Sequence, residues 1–177
     1  MYKLFISLLL IYTLVGCSRN KENANKPVTS QEPSALNGDN DKAPEFILLS
    51  TDGKKIRLSD YKGKVVIVDF WATWCAPCRK GIPDLIEIQK EFGKKVVVIG
   101  ISLDTDSKGD VLPFMQKFGI NYPITYGTLE VTQQYGGVEA IPTSFIIDKN
   151  GRIVDKHVGL VPKSEYTNLI NKLLNKI

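Results

Sequence analysis

The sequence contains few cysteine and histidine residues. Its 177 residues include three cysteines and one histidine, too few for a small scaffold held together by disulfides. The 23 lysine and arginine residues are scattered and the formal net charge is only +4, so the sequence does not indicate a nucleic-acid-binding protein. With 43% hydrophobic residues, the chain is long enough to form one domain with a substantial core.

The sequence also lacks a hydrophobic run long enough to span a membrane, which requires roughly 20 residues. The run over residues 4–15 follows Lys3 and precedes a glycine and Cys17, as is typical of a secretory signal peptide. Residues 14–17, LVGC, resemble the lipobox of bacterial lipoproteins. This resemblance implies a signal peptide over residues 1–16, cleavage before Cys17, and lipid on Cys17 that anchors the protein to a membrane. The alternatives are an ordinary signal peptide or an uncleaved anchor, with an incidental cysteine.

The segment over residues 18–42 has no aromatic residue, and its only larger aliphatic residues are Val28 and Leu36. It buries too little apolar area to offset the entropy of ordering its backbone. We therefore interpret residues 17–42 as a lipidated, flexible tether and residues 43–177 as one folded domain.

Strands and helices alternate in the predicted secondary structure of this domain. In chain order we predict a β-hairpin within residues 45–58, a strand over 64–71, a helix over 75–92, a strand over 96–103, a helix over 108–118, a short strand over 123–126, a short helix over 129–135, a hairpin of strands 143–147 and 152–158, and a helix over 163–176. This order predicts an α/β fold with helices on both faces of a sheet.

The pattern Cys-x-x-Cys, formed by Cys75 and Cys78, falls at the start of the first predicted helix. The free N–H groups and the dipole at a helix N-terminus favour a thiolate, so we predict Cys75 to be the attacking sulfur. Cys78 lies about one turn later and is expected to resolve the mixed disulfide. A structural zinc ion needs four ligands, and only Cys17 and His157 remain, so no metal site is predicted.

The residues around this pair resemble those of the thioredoxin family. Residues 69–78, DFWATWCAPC, resemble its active-site segment, Pro83 matches its helix-kinking proline, and residues 138–143, VEAIPT, resemble its cis-proline loop. The leading hairpin and the extra segment over residues 104–127 resemble the membrane-anchored TlpA/ResA-type branch. The resemblance implies a thioredoxin fold with an N-terminal β-hairpin and a central inserted helix/strand segment.

The resemblance also implies a substrate site. It places a cis Ile141–Pro142 peptide beside the Cys75 sulfur, with the Ile141 backbone pairing with an extended substrate segment. An ordinary trans turn is the alternative. Trp74 is expected at the rim of the site. The predicted substrate-binding residues are Trp74, Ala76, Pro77, Ile141 and Pro142.

Asp69 lies within a predicted buried strand, where a carboxylate is unfavourable unless it is neutral or paired. Burial should raise its pKa and make it a proton acceptor near neutral pH. The thioredoxin resemblance places it behind Cys78, and we predict that it takes the Cys78 proton. The alternative is a strand-end aspartate bonded to loop amides. We interpret His157 as an exposed structural residue in an edge strand.

These observations predict a thiol–disulfide oxidoreductase tethered outside the cytoplasm that reduces protein disulfides. A membrane electron donor would re-reduce its Cys75–Cys78 disulfide, no other cofactor is needed, and a monomer is expected. A disulfide-forming oxidant is the alternative, but it requires strong thiolate stabilisation, and the loop formed by Ala76 and Pro77 lacks charge. Many TlpA/ResA-type proteins carry a glutamate where this chain has Gly81, which argues against narrow cytochrome specificity.

Two other functions are less consistent with the sequence. A peroxiredoxin needs a threonine three residues before its reactive cysteine, and Ala72 occupies that position before Cys75. Sco-type copper-delivery proteins use Cys-x-x-x-Cys and a histidine before the closing hairpin. This chain has one residue fewer between its cysteines, and His157 follows that turn.

Overall fold

The computed structural model describes residues 41–175, so the predicted signal peptide, Cys17 and almost all of the predicted tether lie outside the described residues. The strands are β1 (Ile47–Leu49), β2 (Lys55–Arg57), β3 (Val65–Trp71), β4 (Val96–Ser102), β5 (Ile124–Tyr126), β6 (Thr143–Ile147) and β7 (Ile153–Val158). The α-helices are α1 (Ala76–Phe92), α2 (Lys108–Phe118), α3 (Leu129–Gln134) and α4 (Lys163–Asn175). None of these helices is both long enough and apolar enough to cross a membrane.

Strand β3 lies at the centre of a five-stranded sheet with the order β5-β4-β3-β6-β7. It runs parallel to β4 and antiparallel to β6. All of its residues, VVIVDFW, are buried, as expected for a β-branched strand that is covered on both faces. Strands β1 and β2 form a separate antiparallel hairpin. This is a thioredoxin fold with the predicted N-terminal hairpin, and α2 and β5 form its inserted segment.

The two faces of the sheet carry two hydrophobic clusters, because successive side chains of a strand point to opposite faces. Val65, Ile67 and Trp71 pack with residues of α1 and α4. Val66, Val68 and Phe70 pack with the N-terminal hairpin and with α3. Asp69 has the same parity as the first set, so it points towards α1 and α4.

The predicted elements of the folded domain are present, and their ends fall at or next to the predicted residues. Gly93 ends α1 with a φ of 53°, and Gly119 ends α2 with a φ of 66°. A residue with a Cβ rarely adopts such angles. This is why the glycines correctly predicted the ends of both helices. Pro83 lies inside α1, as the resemblance implied.

Candidate active site

Cys75 and Cys78 form a disulfide at the N-terminus of α1, with an S–S distance of 2.07 Å and a Cα–Cα distance of 5.3 Å. Cys75 is the N-cap residue of the helix, and its Sγ accepts a hydrogen bond from the Cys78 N–H at 3.2 Å. The free N–H groups and the dipole at this end favour a negative charge on the reduced Cys75 sulfur. Cys78 is packed in the hydrophobic cluster that lies under α1.

The loop before β6 lies against the disulfide. Its Ile141–Pro142 peptide bond is cis, which confirms that part of the prediction. The Ile141 carbonyl oxygen lies 3.6 Å from Cys75 Sγ, although the two residues are 66 positions apart in the chain. The loop is held in place at its other side, where the Gly159 N–H donates to the Pro142 carbonyl at 2.8 Å.

The predicted substrate-binding residues differ in their exposure. Trp74 is 67% exposed, Ala76 and Pro77 are also exposed, Ile141 is half-buried, and Pro142 is buried. Unlike Trp74, the nearby Trp71 is buried, and its ring centroid lies 5.3 Å from that of Phe114 in α2. The structure therefore places an exposed aromatic side chain directly before the disulfide.

Asp104, which follows β4, anchors the loop that leads into the disulfide. Its carboxylate accepts hydrogen bonds from the Thr73 N–H at 3.0 Å and the Thr73 hydroxyl at 2.6 Å. The hydroxyls of Ser102 and Ser107 donate to it as well, each at 2.8 Å. Burial acts to raise the pKa of Asp104, but these hydrogen bonds outweigh it and hold the pKa below its usual value. This residue was not identified from the sequence.

Asp69 is 5% exposed, and its Oδ1 accepts a hydrogen bond from the Ser144 hydroxyl at 2.6 Å. Its partner is thus a side-chain hydroxyl, and not the loop amides of the alternative interpretation. Burial raises the pKa of Asp69 to about 7, and the Ser144 hydrogen bond acts in the opposite direction. At neutral pH this carboxyl is therefore able both to hold and to release a proton.

Asp69 and Cys78 line the same small cavity, which has a volume of about 20 Å³. This is enough for about one water molecule. Gly81 and Leu160 also line the cavity, and a Cβ at position 81 would lie 3.2 Å from Leu160 Cδ1. The position at which many relatives carry a glutamate therefore faces an apolar side chain here, and Asp69 is the acidic residue of this cavity.

The interpretation of His157 as an exposed residue is wrong. Its side chain is only 18% exposed, and its ring packs edge-on against Tyr166 of α4, with 5.3 Å between centroids. The reason is the strand register, which places His157 opposite Ser144 and so on the sheet face that α4 covers. The Tyr166 hydroxyl lies 2.9 Å from Ser144 Oγ.

Ser144 and Tyr166 were not identified from the sequence either. A serine within the buried strand TSFII was the available signal, because a buried hydroxyl requires a partner. Among residues 41–175, no cluster of three or more His, Cys, Asp or Glu side chains is arranged to hold a metal ion.

A redox-active disulfide at a helix N-terminus, beneath a cis-proline loop on this fold, defines a thioredoxin-like thiol–disulfide oxidoreductase. A family model described as Redoxin matches residues 38–170. The chain belongs to the Redoxin family.

Named relatives agree with this class. The chain is 33% identical over 167 residues to the thioredoxin-like protein YneN of Bacillus subtilis (strain 168), covering 93% of this chain and 95% of that protein. It is 37% identical over 134 residues to the thiol-disulfide oxidoreductase ResA of the same organism, covering 72% and 73%. Among solved structures, the pneumococcal exposed lipoprotein thioredoxin Etrx1 of Streptococcus pneumoniae strain TIGR4 matches with a TM-score of 0.65 and 34% identity, covering 73% of this chain and 100% of that chain.

Proposed function

We propose that this protein is anchored to a membrane by lipid on Cys17 and reduces disulfides in protein substrates outside the cytoplasm. The observation that carries the reductive chemistry is the position of Cys75 Sγ, at the N-terminus of α1 and 3.6 Å from the Ile141 carbonyl. A substrate strand that pairs with the Ile141 backbone would bring its own disulfide to this sulfur.

The first step is attack by the Cys75 thiolate on one sulfur of the substrate disulfide. A bond forms between Cys75 and that sulfur, the substrate S–S bond breaks, and the other substrate sulfur leaves with the electron pair and takes a proton from water. The product is a mixed disulfide between the protein and its substrate.

In the second step Cys78 resolves this mixed disulfide. Asp69 accepts the proton of the Cys78 thiol, and the resulting thiolate attacks Cys75 Sγ. The Cys75–Cys78 bond forms, and the remaining substrate sulfur leaves as a thiolate. Two electrons have then passed from the cysteine pair to the substrate, so a membrane electron donor must return two electrons before the next cycle.

The environment of Cys75 supports reduction over oxidation. The hydrogen bond that reaches its sulfur comes from the backbone N–H of Cys78, and the intervening Ala76 and Pro77 carry no charge. A strongly oxidising dithiol requires much greater stabilisation of its thiolate. We therefore expect a potential nearer to the about −270 mV of thioredoxin than to the about −120 mV of strong oxidants, measured by equilibration with thiol–disulfide buffers.

The membrane anchor and the location are supported by the lipobox-like residues before Cys17 and by the similarity to an exposed lipoprotein thioredoxin. Protein substrates are supported by the exposed Trp74 beside the disulfide. A monomer suffices for both chemical steps, because the residues proposed for them belong to one chain.

Trapping of substrates tests the proposal. A Cys78→Ser variant lacks the resolving thiol, so it should accumulate mixed disulfides on Cys75 in cells, and mass spectrometry should identify the partners. The matched control is Cys75→Ser, which retains one buried cysteine and should trap nothing. The proposed function would be contradicted if both variants trapped the same amount of partner protein. It would also be contradicted if Cys78→Ser trapped no protein from outside the cytoplasm.

A further inference from the structure

A row of polar residues crosses the sheet behind the disulfide. Asp69 of β3 lies opposite Ser144 of β6, and Ser144 lies opposite His157 of β7. Directly opposed residues share one face of a sheet, and here it is the face towards α1 and α4. Tyr166 of α4 lies over the row, with its hydroxyl 2.9 Å from Ser144 Oγ and its ring against His157.

The hydrogen bonds in this row have a defined direction when Asp69 is ionised. A serine hydroxyl has one proton, and Ser144 donates it to Asp69 Oδ1 at 2.6 Å. This distance is typical of a hydroxyl that donates to a charged oxygen. Ser144 Oγ must then accept the proton of the Tyr166 hydroxyl. Both hydroxyls therefore point towards the carboxylate, and each polarises the next.

Two residues of this group, Asp69 and Tyr166, also lie beside the reacting residue Cys78. Asp69, Cys78 and Tyr166 line the cavity of about 20 Å³ under the disulfide. Ser144 donates to Oδ1, and Oδ2 remains available to receive a proton from Cys78. Ser144 and Tyr166 are both buried, and buried hydroxyls are unfavourable unless they are hydrogen-bonded.

We propose that Ser144 and Tyr166 are positioning residues of the resolving step, whose hydroxyls hold Asp69 as a carboxylate beside Cys78 so that it accepts the Cys78 proton. This inference rests on the proposed role of Asp69. Burial alone would keep the Asp69 carboxyl protonated at neutral pH, and the Ser144 hydrogen bond acts against burial to leave the pKa at about 7. The proton that Cys78 loses is later released from Asp69 to water.

Within the part of the chain that the structure describes, the other groups around Asp69 do not stabilise its charge, so the Ser144–Tyr166 hydrogen-bond chain is the main polar contact of the carboxylate. Cys78 faces it from α1, and the register neighbour on β4 is Gly100, which has no side chain. Burial and the charge of Asp69 raise the pKa of Tyr122 well above its usual value. Tyr122 therefore stays neutral at the pH of the reaction.

Beyond Tyr166 lie His157 and Asp155 of β7, with 3.6 Å between His157 Nε2 and Asp155 Oδ2. The pKa of Tyr166 is raised to about 12, mainly by burial and then by the charge of Asp69. Asp84 and Asp155 raise it more weakly, and the Ser144 hydrogen bond lowers it. Tyr166 is therefore a neutral donor throughout the range in which Asp69 titrates.

The two steps can be followed separately with a chromogenic aromatic disulfide. Attack by Cys75 releases one coloured thiolate from Ellman's reagent, and resolution by Cys78 releases the second. The variants are Ser144→Ala, which removes the direct donor, and Tyr166→Phe, which keeps the ring but removes the second donor. Tyr135→Phe is the matched control, because Tyr135 is a buried tyrosine of the opposite sheet face whose hydroxyl donates to the Pro44 carbonyl at 3.0 Å.

In Ser144→Ala we expect the acidic midpoint of the second step to rise by about one to two pH units, the worth of a hydrogen bond to a charged group. With a midpoint of about 7 in the wild type, a one-unit rise slows this step about fivefold at pH 7. Tyr166→Phe should shift the midpoint in the same direction by less. All rates should converge at alkaline pH, where Cys78 ionises without a base, and the first step should be unchanged.

The outcomes separate this inference from the proposed function. If both steps proceed but neither variant moves the midpoint, or if the slowing is equal at every pH, Ser144 and Tyr166 have only a structural role and the inference is wrong. A shift of the same size in Tyr135→Phe would also overturn it. If the wild-type protein does not release the second thiolate, the proposed function itself fails. Tyr166→Phe alone decides the question if Ser144→Ala does not fold.

Discussion

Replacement of Asp69 by asparagine is expected to stabilise the oxidised protein, by an amount that grows with pH. The carboxyl has its ordinary pKa of 3.8 in the unfolded chain, whereas burial raises the folded pKa to about 7. Below the unfolded value both states are protonated, and burial of a neutral acid carries no titration penalty. Between the two values the folded protein keeps a proton that the unfolded chain has released, so stability falls as pH rises.

The size of this effect follows from the gap between the two pKa values. The gap of about three units, at about 1.36 kcal/mol per unit, makes the penalty about 4 kcal/mol once the pH exceeds 7. Asparagine retains the side-chain oxygen to which Ser144 donates, and its amide faces a cavity with room for about one water molecule. Any stability lost through imperfect contacts of the asparagine amide is independent of pH. The pH-dependent part of the change in unfolding free energy therefore reports the titration of Asp69.

The assay is urea unfolding of the oxidised protein at a series of pH values from 4 to 8. The difference in unfolding free energy between Asp69→Asn and the wild type should increase by about 4 kcal/mol across this range. Asp104→Asn is the matched control, because this change is expected to destabilise the protein. Hydrogen bonds hold the folded pKa of Asp104 below its ordinary value of 3.8, so this carboxylate stays ionised in the folded protein from pH 4 to 8. Its loss should therefore destabilise the protein by an amount that changes little with pH over this range.

A constant difference between Asp69→Asn and the wild type at every pH would refute the reasoning. It would mean that Asp69 ionises in the folded protein as it does in the unfolded chain, and that burial is compensated by contacts absent from this structure. An increase of the difference towards acid pH would be an equally clear contradiction.

Three further outcomes are expected. Asp69→Asn should slow resolution by Cys78, within the roughly 10²–10⁴-fold contribution of general acid–base catalysis, and an unchanged rate of second-thiolate release would remove Asp69 from the mechanism. Cys17→Ala should release the protein from bacterial membranes or leave its signal peptide uncleaved, as judged by fractionation and mass; unchanged processing and partitioning would exclude lipidation. Trp74→Ala should lower kcat/KM for a protein disulfide by about tenfold or more, as for a central aromatic contact, with little effect on a small aromatic disulfide. The exposed Ile47 of β1 is its control, and an equal loss in Ile47→Ala would show that Trp74 has no specific role.

Local signals in the sequence were sufficient for most of the fold. The β-branched run before Asp69 predicted the central strand, and Gly93 and Gly119 marked the ends of two helices. The spacing of Cys75 and Cys78 predicted a redox pair at a helix N-terminus. Each of these signals depends on residues close together in the chain, so a single sequence displays them.

The supporting residues of the site depend instead on contacts between distant segments. Ser144 is 75 positions from Asp69, and only the antiparallel register of β3 and β6 brings them together. Tyr166 has the helical spacing of an ordinary core residue, and nothing local shows that its hydroxyl meets Ser144. The packing of His157 was wrongly predicted for the same reason, because the covering helix α4 is what buries an edge-strand side chain.

The site uses two buried carboxylates in opposite ways, and the number of donors that each receives explains the difference. Among residues 41–175, four donors reach the Asp104 carboxylate, namely the backbone N–H and hydroxyl of Thr73 and the hydroxyls of two serines, so it stays ionised and fixes the loop that precedes Cys75. In the same part of the chain, one donor reaches Asp69, the Ser144 hydroxyl, and it offsets burial only in part. Hydrogen bonds to a carboxylate lower its pKa in proportion to their number and strength. An acid with many donors therefore serves as a rigid anchor, whereas an acid with one donor remains able to exchange a proton at neutral pH, as the role proposed for Asp69 beside Cys78 requires.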